Sequence, residues 1–306
     1  MGASIKSSIE RIEQSSRLTT NPRYSVTLLA IQKIRVLLVY VLRSIIECRL
    51  LRQAHRHSKR ANRANRNKDA LIIAGGPSVN RLDVSSIITA QSNGELDVFA
   101  LNWFPLSNLS QTLVPNFFCL SDPLCKPSSK TLFKGQSVEK IWDYLRSQPT
   151  IKLILPHNWK KYNKSFNNKV EIWIDDRELV GWSRSNSVIK PRGYASVTAH
   201  KAIAAAVFMG YRAVFLIGLD NSVFKNVVVT EKNELGDNPS HFYDSDSTPT
   251  LIHKKSAFPF GMQDYLYNHS CLFLDLQRSF AKNPIVNLDV NSLTDSFSKV
   301  ERFLKA

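Results

Sequence analysis

The residues of this chain that could do chemistry gather where short apolar runs end. The run 70–74 leads into Gly75, Gly76, Pro77 and Ser78, and the run 97–101 leads into Asn102. The run 116–120 leads into Ser121 and Asp122, and the run 213–217 into Gly218, Leu219 and Asp220. Glycines at such a turn let backbone N–H groups approach a phosphate or a ribose. Ser, Asn and Asp add hydroxyl, amide and carboxylate partners. Any one of these tips reads equally as turn chemistry, since the same residues favour turns. Four together favour a shared binding crevice. The Gly75–Ser78 segment is not a P-loop, because no Gly-Lys-Ser/Thr follows, and it is not a GxGxxG fingerprint.

Further along, His241 closes a stretch rich in Asn, Asp, Gly and Pro that begins at 221. Long stretches of this kind often form lids, and a histidine at the end of one suits a general base near neutral pH. The plainer reading is a surface histidine beside Phe242 and Tyr243. Asp175-Asp176 and Asp244-Ser245-Asp246 have the carboxylates to hold Mg²⁺ or Mn²⁺ with a diphosphate, or are solvated loop acids. His157, His200, His253 and His269 lack ligand spacing. The four cysteines (48, 119, 125 and 271) form no CxxC pair, so neither a disulfide framework nor a cysteine zinc site is expected. GxSxG and HExxH are absent.

The elements that must position these tips follow from the pattern. Continuous apolar runs predict buried parallel strands over 70–74, 97–101, 116–120, 151–155, 170–174 and 213–217, with a short one at 285–288. The Ala-rich segment 196–209 predicts a helix packed closely on a sheet and capped by Gly210. A last helix is expected over 295–305, with Phe297, Val300 and Leu304 inward. Val227–Val229 suits a brief strand, and 231–240 has no core pattern. Strands alternating with helices predict a single doubly wound, mostly parallel α/β sheet, which binds ligands at the carboxyl ends of its strands. The body is taken as 69–306, with a lid at about 221–240.

The net charge is +16. Residues 1–68 carry 15 Lys/Arg and three Glu, so most of the excess lies there and the body is nearly balanced. The segment 24–51 is apolar, but Lys33, Arg35, Arg43 and Glu47 interrupt it, which argues against a membrane-spanning helix. A secretory signal peptide fits poorly too. The 1–68 extension reads as a basic amphipathic helix for an anionic membrane surface, contacted through 24–68, or for packing on protein. The body shows no basic face or nucleic-acid module, so nucleic acid is not the expected partner. Association into a homo-oligomer is left open.

Taken in order, Leu71–Ser78 with Leu82-Asp83, Val98–Asn102, Ser121-Asp122-Pro123, Gly210–Asp220 and Ser240-His241-Phe242 resemble the bacterial sialyltransferases of the Campylobacter type. The resemblance extends to a wider clan with flagellin-modifying glycosyltransferases and pterin pyrophosphokinase-like proteins, and covers about 70–304. It implies a Rossmann-like variant of the GT-A type. The implied reaction is a metal-independent, inverting transfer of a sialic acid-like nonulosonic acid from a CMP-activated donor to a glycan acceptor, possibly lipid-linked. No cofactor is implied. Gly75, Gly76, Pro77 and Ser78 match a phosphate/ribose loop, Asn102 a nucleotide contact, and His241 the base. Asp122 and Thr198 stand where the family has Asn and Ser. The family's tyrosine pair after the Gly-x-Asp tip is missing, which leaves Lys225 or Arg192 to meet the phosphate charge. An Mg²⁺-dependent pyrophosphokinase-like enzyme and a non-catalytic nucleotide-binding scaffold are the alternatives. The expected location is cytoplasmic, peripheral on the membrane's cytoplasmic face.

Overall fold

The computed structural model describes residues 26–127, 129, 132–133, 136–165, 169–180, 182–183, 185–194, 197–221, 227–229, 231–232, 235–237, 242, 250–253 and 272–305. Its centre is an eight-stranded sheet in which every neighbouring pair is parallel. The strands are β1 (Asp69–Ile73), β2 (Leu96–Leu101), β3 (Phe117–Cys119), β4 (Lys152–Pro156), β5 (Val170–Ile174) and β6 (Val214–Ile217). After three further strands outside this sheet, β7 (Val227–Val229), β8 (Leu235–Asp237) and β9 (Thr250–His253), come β10 (Ile285–Asn287) and β11 (Ser298–Lys299). Their spatial order is β11-β10-β6-β1-β2-β3-β4-β5. The expected doubly wound α/β sheet is therefore present, and each apolar run named above contributes a strand to it.

Alternation along the strands builds two cores, one on each face. Leu71, Ile73, Val98, Ala100, Phe118, Leu153 and Leu155 enter one. Ala70, Ile72, Phe99, Leu101, Phe117 and Ile154 enter the other. Helix α3 (Val84–Ser92) and helix α4 (Glu139–Ser147) lie on the first face, where Ile87, Ile141 and Leu145 are buried. On the second lies α5 (Thr198–Met209), whose Ala199, Ala202, Ala204, Ala205 and Ala206 bring its backbone close to the sheet. Gly210 ends α5 at φ 79, and its N–H donates to the Ala206 and Val207 carbonyls, a left-handed cap that favours glycine.

The chain runs outward from β1 to β5, then returns through α5 to β6, on the other side of β1. The order of strands thus reverses between β1 and β6, the place where open α/β sheets form a crevice. At the far edge, the basic N-terminal segment is docked. Helix α1 (Val26–Ile46) and helix α2 (Cys48–Ser58) meet at Glu47, and Leu51, Ala54, Ser58 and Ala61 bury their side of α2 and the following turn. Ser58 Oγ donates to the Trp173 carbonyl and accepts from the Trp173 N–H, while the His57 ring meets the Val170 carbonyl at 2.6 Å. These side chains satisfy the Val170 carbonyl and both outward backbone groups of Trp173 on edge strand β5.

Two expectations are corrected. Residues 295–305 are not a helix: Ser298–Lys299 add a parallel strand to β10, and Phe303 takes φ 57. The run before it turns on its own side chains instead, with Ser292 Oγ accepting from the Thr294 N–H and Asp289 from the Asn291 N–H. The segment 231–240, expected to lack pattern, contributes β8, the centre strand of a small antiparallel sheet with β7 and β9.

Candidate functional site

The four polar tips follow β6, β1, β2 and β3, which are consecutive in the sheet. They flank the switch point, and the structure joins them in two hydrogen-bonded sets. The first ties the tips of β1 and β6. Gly76 N–H donates to the Gly218 carbonyl at 2.8 Å, Gly218 N–H donates to Ser78 Oγ at 2.9 Å, and Ser78 N–H donates to Asp220 Oδ2 at 2.9 Å. Ser78 Oγ also donates to Asp220 Oδ1. The approach is so close that a Cβ on Gly76 would lie 2.7 Å from the Gly218 carbonyl oxygen and against the Asp220 carboxylate. Gly218, at φ 76, would crowd the Ala74 carbonyl at 2.8 Å. Gly76, Gly218, Ser78 and Asp220 therefore hold the two loops together.

The second set joins the tips of β2 and β3 to the first turn of α5. Asn102 takes a left-handed φ of 36. Its Nδ2 donates to Thr198 Oγ1 at 2.9 Å, and its Oδ1 accepts a long bond from the Ser121 N–H at 3.4 Å. Ser121 Oγ and Thr198 Oγ1 are 2.8 Å apart. Thr198 is the first residue of a 12-residue helix whose N-terminus carries a partial positive charge. Asp122 caps the turn that follows Ser121, accepting from the Leu124 N–H at 2.9 Å, and stays half-buried. Pro77 and Gly75 complete the β1 loop. The Gly75 carbonyl accepts from the Phe242 N–H at 3.1 Å, and the Phe242 ring lies 6.3 Å from Phe104.

His241 and Lys225 lie outside the described residues. Arg192 is described, and its guanidinium is already occupied: it is 7% exposed, with one nitrogen on Asp176 at 2.6 Å and another on Glu178. Its charge is matched internally by two carboxylates, which leaves it poorly suited to a donor phosphate. Asp175 is buried and Asp176 half-buried, and among the described residues neither belongs to a group arranged for a metal. Asp175 is 1% exposed and takes a paired contact from Arg177 at 2.9 and 2.7 Å, with His55 at 3.2 Å. Asp176 meets Lys201 at 2.6 Å as well as Arg192. Burial alone would raise both carboxyls, but the surrounding cations and hydrogen bonds outweigh it and hold both well below the usual carboxylate range. His157 and His200 are buried, and His157 Nε2 meets Glu47 at 2.7 Å. Among the described residues no group of three His, Cys, Asp or Glu is arranged to hold a metal ion.

Two site features lie outside the tips singled out in the sequence. Asn221, directly after Asp220, takes φ 54 and buries an Oδ1 that has no hydrogen-bond partner among the described residues. A non-glycine residue in left-handed backbone is uncommon, and Asn is the usual exception; its place after Gly218-Leu219-Asp220 is the signal for it. Cys119 ends β3 beside Asn102, but burial pushes its thiol up to about 12, so it is no nucleophile at neutral pH.

No protein-family model matches the chain, and no curated protein matches it. Among solved structures it is similar to the MAf glycosyltransferase from Magnetospirillum magneticum AMB-1, at 11% identity and a TM-score of 0.44. The match covers 90% of this chain and 42% of that one, so the chain spans less than half the length of that protein.

Proposed function

We propose that the protein is a glycosyltransferase that takes a sialic acid-like nonulosonic acid from a CMP-activated donor and passes it to a glycan acceptor. The observation that carries the reading is the Asn102–Thr198–Ser121 set beside the switch point, where the tips of β2 and β3 meet the first turn of α5. A helix N-terminus with hydroxyl and amide groups beside it suits a phosphate ester. Asp122 stands next to this set as an acceptor for ribose hydroxyls, and the buried Asn221 Oδ1 as an acceptor for a further hydroxyl. Phe242 supports a role for His241, its neighbour in sequence, because the Phe242 N–H is fixed to the β1 loop.

In this reading the acceptor hydroxyl loses its proton to His241 as its oxygen bonds the anomeric carbon. The bond from that carbon to the CMP phosphate breaks, and CMP leaves with the electron pair. Lys225 and the N-terminus of α5 meet the phosphate charge, and the 221–240 segment closes over the donor. The reaction needs no metal. The test is turnover of a CMP-activated nonulosonic acid by the full chain, with His241→Ala beside it. His241→Ala is expected to lower turnover by about 10²–10⁴-fold, and EDTA to leave the wild-type rate unchanged. Activity within about tenfold of wild type would remove His241 as the base, and loss of turnover in EDTA would favour a metal-dependent diphosphate chemistry instead. No CMP-induced rise in melting temperature would sink the donor assignment.

A further inference from the structure

Helix α1 is docked on one side and bare on the other. Val36, Val39 and Arg43 face the body and are buried. Ile31, Ile34, Leu38, Val41, Leu42 and Ile45 recur at three- and four-residue steps and are all exposed, Leu38 at 58% and Ile45 at 70%. Such steps keep residues on one side of a helix. The i to i−4 bonds from Glu47 N–H to the Arg43 carbonyl and from Leu51 N–H to the Glu47 carbonyl carry the turn into α2. The same steps then reach Arg49, Arg52 and Arg56, which are also exposed. The stripe is therefore aliphatic for four turns and cationic for the next two. Trp182 stands beside it, 52% exposed, with its indole N–H donating to the Lys33 carbonyl at 2.9 Å.

We propose that this stripe lies on an anionic phospholipid surface, the aliphatic part sunk into the boundary between headgroups and acyl chains and the arginines on the phosphates. The proposal is independent of the proposed reaction. No described helix is long and apolar enough to cross a membrane, which leaves α1 to lie in the plane of the surface. Charge decides the occupant. In a parallel pair with a second copy, Arg49, Arg52 and Arg56 would meet their own counterparts in the seam. An antiparallel pair would bury them against the partner's aliphatic residues. Both arrangements strand unpaired charge, whereas lipid phosphates neutralise it. Trp182 fits the same surface, since an indole with one polar edge favours the bilayer interface.

The experiment is sedimentation of the full chain with vesicles of phosphatidylcholine alone and of phosphatidylcholine mixed with phosphatidylglycerol, at rising salt. The protein should sediment with the mixed vesicles, far less with the neutral ones, and be released by salt. Arg49→Gln/Arg52→Gln/Arg56→Gln should weaken partition about a hundredfold, at about fivefold per charge near the surface. Leu38→Asp/Ile45→Asp should abolish it. All five side chains are exposed, and an unchanged melting temperature checks that each variant folds. Equal binding to both vesicle types, binding that both variants retain, or no binding at all would overturn the proposal. So would a wild-type dimer in light scattering that Leu38→Asp/Ile45→Asp converts to monomer without any vesicle binding. Should a variant misfold, the salt and lipid dependence of the wild-type chain decides alone.

Discussion

At the scale of single residues, the switch point is held by contacts that tolerate no added atom. Gly76→Ala would place a methyl group against Asp220 and the Gly218 carbonyl, both part of the tie between β1 and β6. The loops would have to separate, at a cost of roughly 1–3 kcal/mol. Urea unfolding should show a lower midpoint, and an unchanged midpoint would mean that the loops do not meet so closely in solution. Thr198→Val keeps the shape of the side chain but removes the hydroxyl shared by Asn102 and Ser121. On the proposed reading it should lower the affinity for CMP by about tenfold or more, the worth of one hydrogen bond to a charged group, read as a smaller melting shift at fixed CMP. An unchanged shift would place the nucleotide elsewhere. Gly76, Asn102 and Ser121 were legible in the sequence because each follows an apolar run, where chain direction alone fixes which end of the sheet it reaches, whereas Thr198, at the start of α5, was marked only by the family resemblance. The partners of Arg192 were not legible. Asp176 and Glu178 lie 16 and 14 residues away, and no spacing rule connects them across a loop.

At the scale of elements, the β5 edge of the sheet is sealed by a cover that the sequence disguised as an arm. Ser58 is fully buried and satisfies both outward backbone groups of Trp173. Ser58→Ala should leave that N–H and carbonyl unpaired, with a loss of about 1–3 kcal/mol and faster exchange of the Trp173 amide. Unaltered exchange at that amide would show that α2 does not seal β5. The charge run of α2 signalled its exposed side, and only the steps Leu51, Ala54, Ser58 and Ala61 mark the buried one. Small and polar residues at such steps carry little hydrophobic signal, which is why the docking was hard to read while the strands, as unbroken Val/Ile/Leu/Phe runs, were plain. The 295–305 segment was misread for the opposite reason. Its apolar residues fall at helical steps, but a slot beside β10 and the hydrogen-bonding side chains before it favour a strand.

At the scale of the whole molecule, the β5 edge and the centre of the sheet depend on different physics, and pH should separate them. The β5 end rests on carboxylates. Burial works against Glu47, Asp175 and Asp176, yet hydrogen bonds and cations from His157, Arg177, His55, Lys201 and Arg192 hold all three below their ordinary values. A carboxyl lowered in the folded state adds stability above its unfolded value and loses it as pH falls through the folded one. Stability should therefore hold near neutrality and decline from about pH 4 downward, where unperturbed carboxyls begin to protonate. Around β1, β2 and β6 the two cores are apolar, with Asp69 and Asp97 buried only at the starts of β1 and β2, and the burial that holds these cores is largely indifferent to acid. Hydrogen exchange at low pH should then show the β5 amides losing protection before those of β1 and β2. Asp175→Asn should cost about 3–5 kcal/mol at pH 7, since it leaves the Arg177 charge buried without its partner, and should flatten the acid slope of the urea midpoint. If β5 and β1 lose protection together in both proteins, the ionic lattice contributes nothing of its own, and the helices at the edge are held by apolar contacts such as those of Val36, Val39, Leu51 and Ala54 and by the bonds of His57 and Ser58 to β5.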